Sequence, residues 1–412
     1  MTNAGKFAGD PACTSQTPWY RITSIGQLSI DISADPILAP LADSSSAEVL
    51  CSQLPVVRCL SFPTMVIQEN IPLTPLTTLQ VGGSARYFAE ATCEDDIGEA
   101  VEFVRTNNLP LFVLGGGSNV VVADSGWPGL VVHIAIGGLK VEPSAESVLF
   151  TVGAGHDWDA FVAEAVARDC AGIECLSGIP GSVGGTPVQN VGAYGQEVAD
   201  TIESVRAFDT KESRVVSLGR AACRFRYRAS IFNSGERGRY IILHVSYRLL
   251  RGAAPTLKYA DLKRHFAEAK TRPSLGEVRE TVCQIRRAKG MLLVPGNPDS
   301  RSAGSFFKNP VLTDSQFNNL SARAESKNLK IPSYPALDAL RKVSAAWLVE
   351  NSGFNKGFRL GEAVISTKHA LALTNAGNAR AADIVRLKET IQERVHKEWG
   401  VMLEPEPVFV GF

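Results

Sequence analysis

At 412 residues the chain is too long for one ordinary core, and 45% apolar with 20% charged residues is the make-up of a globular protein of two or three domains. Lysine plus arginine equals aspartate plus glutamate, 42 of each, so no global field recruits nucleic acid or an anionic membrane, and any anion must be bound by a local arrangement. The eight cysteines show neither C-x-x-C nor zinc-finger spacing, which argues for free thiols and against a metal site. The longest apolar run, Leu130 to Leu139, is broken by His133 and two glycines and is far shorter than the roughly 20 residues that span a bilayer. With no apolar leader at the N-terminus either, the expected compartment is the cytoplasm.

Residues 1–64 are rich in Ser, Pro, Ala and Asp and carry no sustained periodicity, so they are expected to form a weakly ordered extension. Met65 stands just before the first strongly patterned segment and is a candidate translation start, which the intact mass of the natively expressed protein would test. From Ile71 the pattern alternates between strand and helix. Arg86–Ala89 reads as a strand after the Gly82-Gly83 turn, and a helix follows, capped by Thr92, with Ile97, Val101 and Val104 on one face. Leu111–Leu114 and Val120–Val122 read as strands on either side of Gly115-Gly116-Gly117-Ser118-Asn119. Strands at 129–134 and 148–153 lead to a helix with Trp158, Val162 and Ala165 on one face.

The second glycine cluster, Gly178 to Pro187, is too rich in breakers for an element interior and must be a loop. Strands are expected at 202–208, 213–217 and 240–249. Ser274 and Glu277 form a capping box for a helix that ends in Arg286, Arg287 and Lys289. Beyond the Pro- and Gly-rich segment 295–304 come a short strand at Ser305, helices near 313–325 and 343–351, a strand at 370–374 and a last helix over 379–398, with Ile384, Leu387, Ile391 and Val395 inward.

Neither glycine loop is a nucleotide fingerprint of the usual kinds. The triple glycine lies between two strands, where a Rossmann turn needs a strand and then a helix, and no G-x-x-x-x-G-K-[ST] exists. What remains is a pair of backbone nests, loops of small residues whose amides can approach a pyrophosphate, which suggests a dinucleotide. Each loop alone would be an ordinary tight turn.

Six motifs in order carry a family resemblance: Leu114-Gly-Gly-Gly-Ser-Asn119, Gly178-Ile-Pro-Gly-Ser-Val-Gly184, Gln189-Asn-Val-Gly-Ala-Tyr-Gly195, Tyr227-Arg-Ala-Ser-Ile-Phe232, Ala303-Gly-Ser-Phe-Phe-Lys-Asn-Pro310 and Leu403-Glu-Pro-Glu406. Together they closely resemble the UDP-N-acetylenolpyruvoylglucosamine reductase (MurB) family, from about Ile71 to the C-terminus. The resemblance implies an α+β protein with the two-subdomain FAD-binding fold of the vanillyl-alcohol-oxidase (PCMH-like) type and a C-terminal α+β substrate domain. The boundaries it suggests are 65–135 for the first FAD-binding subdomain, with 402–412 returning to it, 136–272 for the second, and 273–401 for the substrate domain. It implies FAD as cofactor, NADPH as hydride donor, and reduction of the enolpyruvyl group of a UDP-sugar on the way to peptidoglycan, with no obligatory protein partner.

By motif position Ser305 is the implied proton donor, and Arg228 and Glu406 hold the substrate carboxylate and stabilise the enolate-like intermediate. Taken singly, Arg228 reads as a surface arginine at a strand end and Glu406 as a solvated carboxylate beside prolines. The implied FAD contacts are Gly115, Gly116, Gly117, Ser118 and Asn119 on the first loop, Gly181, Ser182, Gly184 and Gly185 on the second, and Arg286. Arg286 could equally be a cation at a helix C-terminus. The implied substrate contacts are Tyr194, Tyr259, Lys289, Asn309, Tyr334 and His369; Tyr259 could also be a core aromatic at a helix start, and His369 a structural histidine. The segment Gly290–Arg301 is long for the linker that the resemblance calls for. Two other functions stay open: another FAD-dependent oxidoreductase of the same fold, such as an alcohol or sugar oxidase, or a catalytically silent FAD- or UDP-sugar-binding regulatory protein.

Overall fold

The computed structural model describes residues 65–336 and 340–412, so the expectations about residues 1–64 and about a start at Met65 lie outside the described residues. The first sheet has four strands, Ile67–Pro72, Ser84–Ala91, Trp127–Ile134 and Leu111–Leu114 in that spatial order. Its first pair is antiparallel and the other two are parallel. Helix α1 (Glu94–Thr106) closes one face by burying Ile97, Ala100, Val101 and Val104. Its start differs from expectation: Cys93 is the N-cap residue, and Thr92 instead donates its amide and hydroxyl to Asp96 at 2.7 and 3.1 Å. The Asp96 carboxylate at the third helical position accepts the amides of both Thr92 and Cys93, the back-bond of a capping box, which starts the helix one residue later than Thr92.

The second sheet is built on the long strand Tyr240–Arg251, flanked antiparallel by Ile202–Asp209 and Ser147–Gly153. Arg214–Gly219 and the strand Leu139–Pro143, which the sequence pattern did not announce, form its edges. Helix α2 (Trp158–Ala167) lies against it with Trp158, Phe161 and Val162 fully buried, and Trp158 Nε1 donates to the Leu176 carbonyl at 3.0 Å. One apolar cluster runs through α1, α2 and the inner faces of both sheets.

Short α3 (Ala260–His265) and α4 (Leu275–Ala288) follow. The capping box of α4 is present, with Ser274 accepting from Glu277 N and Glu277 from Ser274 N. A second large cluster gathers α5 (Asp314–Glu325), α6 (Ala345–Glu350) and α7 (Ala381–Trp399) around the antiparallel strands Ser302–Ser305, Ala372–Asn375, Ala363–Ile365 and Arg359–Leu360. The expected inward residues of α7, Ile384, Leu387, Ile391 and Val395, are all fully buried. The chain ends in Val408–Val410, paired parallel with Val120–Val122 immediately after the triple-glycine loop. That pairing brings Glu406 and the first glycine loop together. The five cysteines among the described residues are free thiols.

Candidate active site

A cavity of about 800 Å³ opens between the two glycine loops on one side and the strand that ends at Ser305 on the other. The loops are pressed against each other. Gly116 N donates to Ser182 Oγ at 3.2 Å, and a Cβ on Gly116 would sit 2.6 Å from the Cα of Gly181. Gly117 has φ +62°, and a Cβ there would fall 1.9 Å from the Leu76 carbonyl oxygen, so only glycine satisfies both the turn and the contact. The first loop then reaches across the cavity: Asn119 Nδ2 donates to Gln189 Oε1 at 3.0 Å and to the Glu406 carbonyl at 3.3 Å.

Ser305 ends its strand directly after Gly304, which has φ +72°. The next two residues, Phe306 and Phe307, are buried at 0% and 2% exposure. They are also sewn to neighbouring backbone, since Phe306 N donates to Leu371 O at 2.7 Å and Glu406 N to Phe306 O at 2.9 Å. The serine is therefore held on rigid structure, one residue before the anchor that also fixes Glu406.

Arg228 and Glu406 meet inside the cavity wall. Arg228 Nε lies 3.1 Å from Glu406 Oε1, with side-chain exposures of 19% and 14%, so neither is the solvated surface group that it resembles in isolation. The Nε hydrogen is not aimed along that line, which leaves a buried donor without a hydrogen-bond acceptor. The guanidinium is otherwise fixed by the carbonyls of Gly192 at 2.6 Å and Asn190 at 3.4 Å. Burial pushes the Glu406 carboxyl above the usual carboxylate range, and the neighbouring Arg228 and Lys308 only partly offset it. Lys308, a member of the serine motif that the motif reading left without a role, also lines the cavity and pairs with Glu404 at 2.6 Å.

The opposite end is cationic and aromatic. Tyr194 and Tyr259 make an edge-to-face pair at 5.2 Å. Lys289 lies 5.8 and 5.9 Å above the two rings and 2.9 Å from Asp261. Tyr259 is the N-cap residue of α3 and 42% exposed, so it is not a core aromatic. His369 accepts a hydrogen bond from Leu371 N at Nδ1, 3.1 Å, which leaves its Nε2 carrying the proton. Burial, with Lys289, Lys356 and Arg286 adding to it, pushes this imidazole down to about 4. Arg286 lines the cavity, and its Nε donates to Gly178 O (2.9 Å) and its Nη2 to Met291 O (2.8 Å), clamping the second glycine loop to the linker that follows α4.

Of the residues singled out by sequence, all the glycine-loop residues, Arg228, Ser305, Glu406, Tyr194, Tyr259, Arg286, Lys289 and His369 line this one cavity. Asn309 and Tyr334 do not. Asn309 Oδ1 accepts from Ala345 N at 2.9 Å at the start of α6, and Tyr334 is 57% exposed on a three-stranded edge sheet.

Residues 297–410 match the family of UDP-N-acetylenolpyruvoylglucosamine reductase C-terminal domains, and residues 85–219 match an FAD binding domain. The chain is 42% identical over 363 residues to the UDP-N-acetylenolpyruvoylglucosamine reductase of Streptomyces coelicolor, covering 85% of this chain and 94% of that one. The chain belongs to the UDP-N-acetylenolpyruvoylglucosamine reductase family. The reductase of Salinispora arenicola is 44% identical over 345 residues, covering 82% of this chain and 94% of that protein. The crystal structure of the Thermus caldophilus member superposes with a TM-score of 0.57 at 27% identity, covering 84% of this chain and 99% of its own. The fold is thus the α+β, two-subdomain flavin-binding type with a C-terminal α+β part, and both glycine loops fall inside the FAD binding match. The cavity suits a long, flat dinucleotide: its volume is ample, one stretch is walled by glycine backbone, and apolar Leu111, Val113, Ile134 and Ile241 line it beside polar donors.

Proposed function

We propose that Ser305, Arg228 and Glu406 are the catalytic residues of a flavoenzyme that reduces the enolpyruvyl group of UDP-N-acetylglucosamine-enolpyruvate to UDP-N-acetylmuramate, a peptidoglycan precursor. FAD, reduced by NADPH, supplies the hydride that adds to the vinyl CH2 of the substrate. Negative charge then develops on the carbon that bears the carboxylate, so the protein must stabilise an enolate and deliver one proton.

The observation that carries this reading is the convergence of a fixed hydroxyl, an arginine with a buried unsatisfied N–H and a carboxyl with a raised pKa on one cavity. The Arg228 guanidinium is placed to bind the substrate carboxylate. A second anion arriving beside Glu406 disfavours its ionised form further, and the protonated carboxyl can donate a hydrogen bond to the enolate oxygen. Ser305 is a weak acid, adequate for protonating a strongly basic carbon when its position is fixed. Lys289, Tyr194, Tyr259 and His369 form the end of the cavity that takes the UDP-sugar, with Lys289 as the diphosphate partner. Substrate and hydride donor are both charged nucleotides, and no described helix is long and apolar enough to cross a membrane. This reading places the enzyme in the cytoplasm.

The Ser305→Ala variant tests it. Flavin content and bleaching by NADPH are expected to be unchanged, while reoxidation by the enolpyruvyl nucleotide slows by about 10²- to 10⁴-fold in stopped-flow absorbance. An unchanged reoxidation rate removes Ser305 from the mechanism. Reduced enzyme that recolours in air but not with the nucleotide would mark an oxidase.

A further inference from the structure

The segment Leu76–Val81, between the strands Ile67–Pro72 and Ser84–Ala91, stands outside the cavity wall and joins the first glycine loop to the serine strand. Its front half packs on the loop. The Leu76 carbonyl oxygen is the atom that a Cβ on Gly117 would strike, and Thr78 N donates to Gly117 O at 3.1 Å. Its rear half belongs to the core around the serine: Leu79 and Val81, at 0% and 2% exposure, lie in the apolar cluster that also holds Phe306 and Phe307. Thr78 sits at the crossover, and its hydroxyl donates to Ser302 O at 2.6 Å. Ser302 is also where the serine strand leaves its regular register. Ser302 pairs with Thr374 and Ser305 with Ala372, so three residue steps on one strand oppose two on the other. The bulge falls at Ala303-Gly304, with Gly304 at φ +72° and its amide donating to Ser302 Oγ at 3.3 Å. A bulge re-aims the side chains that follow it, so the direction of the Ser305 hydroxyl depends on where Ser302 is held. The partner strand holds the same joint from the other side. Asn375, 3% exposed, donates its backbone amide to Arg301 O at 3.0 Å and its Nδ2 to the carbonyls of Gln80 and Leu79 at 2.9 and 3.4 Å.

We propose that Thr78 is a positioning residue for the protonation step: its amide on Gly117 and its hydroxyl on Ser302 fix the start of the serine bulge against the first glycine loop, and so set where the Ser305 hydroxyl stands relative to the flavin. Thr78 does not line the cavity, so it acts only through the strand that it holds. The inference rests on the role given above to Ser305 and on the first glycine loop as part of the flavin seat. It gives the hydroxyl of Thr78 a task that packing alone does not require, because Leu79 and Val81 already bury the segment.

Thr78→Val removes the hydroxyl at nearly constant volume, and Thr78→Ser keeps it. The Thr78 amide and the Asn375 bonds remain in both variants, so the segment stays docked. Both half-reactions, flavin content and melting temperature are measured on the flavin-loaded enzyme. In Thr78→Val, flavin content, reduction by NADPH and KM for the enolpyruvyl nucleotide are expected to be unchanged, while the maximal rate of reoxidation falls roughly tenfold, as small misplacements of a catalytic group do. Thr78→Ser restores that rate to within about twofold of the parent, since the donor to Ser302 O is back. A double-mutant cycle separates positioning from plain structural support. If Thr78 works through the serine hydroxyl, Thr78→Val/Ser305→Ala reoxidises no more slowly than Ser305→Ala alone. The proposal is overturned if Thr78→Val reoxidises at the parent rate, slows both half-reactions alike, raises KM alone, is not rescued by serine, or adds its full effect to Ser305→Ala. A Ser305→Ala enzyme with normal reoxidation would instead bring down the underlying mechanism, whatever Thr78 does.

Discussion

Glu406 and His369 sit in the same cavity with opposite perturbations, and each carries a pH prediction. Burial raises the Glu406 pKa, and the proposed mechanism uses its protonated form. Reoxidation by substrate should therefore decline as pH rises through that raised value, a limb absent from the NADPH half-reaction; stopped-flow rates across pH check it. His369 is held near 4, against an ordinary value of 6.5, by burial and three cations. Between those two values the unfolded chain takes up a proton that the native site refuses, so stability is lost as pH falls from 6.5 to about 4. The loss from this one group is at most about 3 kcal/mol. Denaturant titrations of His369→Gln should show a flatter pH dependence over that window than the parent. Neither perturbation is visible in sequence, because each depends on burial and on charges brought in from distant segments.

Among elements, the glycine loops and the helix caps make the sharpest demands on sequence. A Gly117→Ala substitution meets both a positive φ and a carbonyl oxygen 1.9 Å from the new methyl. It should displace the loop and lower the flavin-to-protein absorbance ratio of the purified enzyme, with a stability loss of about 1–3 kcal/mol. Ser274→Ala removes one half of the α4 capping box and should cost about 1 kcal/mol by denaturant unfolding, without changing either half-reaction rate. The capping box of α4 and the buried face of α7 were legible in sequence because their signals are local: a serine three residues before a glutamate, or apolar residues at helical spacing. The N-cap of α1 falls at Cys93 and not at Thr92, because cysteine is not a usual capping residue and the start is set by Asp96 accepting the Thr92 and Cys93 amides. The edge strand Leu139–Pro143 escaped notice although Leu139-Lys140-Val141-Glu142 alternates apolar and charged residues, because so short a run ending in proline is a weak signal, and its pairing with Ser147–Gly153 is what makes it a strand.

Across the whole molecule, the C-terminal strand ties the Glu406 carboxyl to the first glycine loop. Val408–Val410 adds to Val120–Val122, and Phe409 packs on Phe306 at 6.2 Å. Deleting residues 408–412 should therefore lower both flavin retention and melting temperature, and slow reoxidation more than the loss of bound flavin explains; absorbance and calorimetry on the purified variant check this. A second consequence follows from mass action. Because the cavity wall is assembled from both glycine loops and the serine strand, a cavity that takes FAD exists only in the native state, and adding FAD to flavin-stripped enzyme should raise the melting temperature as its concentration increases.

By itself the sequence determined the class of the molecule: its length and composition demanded several cores, its balanced charge excluded a nucleic-acid field, and six ordered motifs placed it in the reductase family. Those are properties of composition and local order, which do not require knowing what lies across a cavity. Only the tertiary structure decided that Arg228 pairs with Glu406 at a buried site, that Asn309 accepts from Ala345 N and stands off the cavity wall, and that Arg286 clamps a loop. Each of these joins residues tens to hundreds of positions apart. What a side chain of this kind does is set by the desolvation and partners it acquires there, and no spacing within the chain records them.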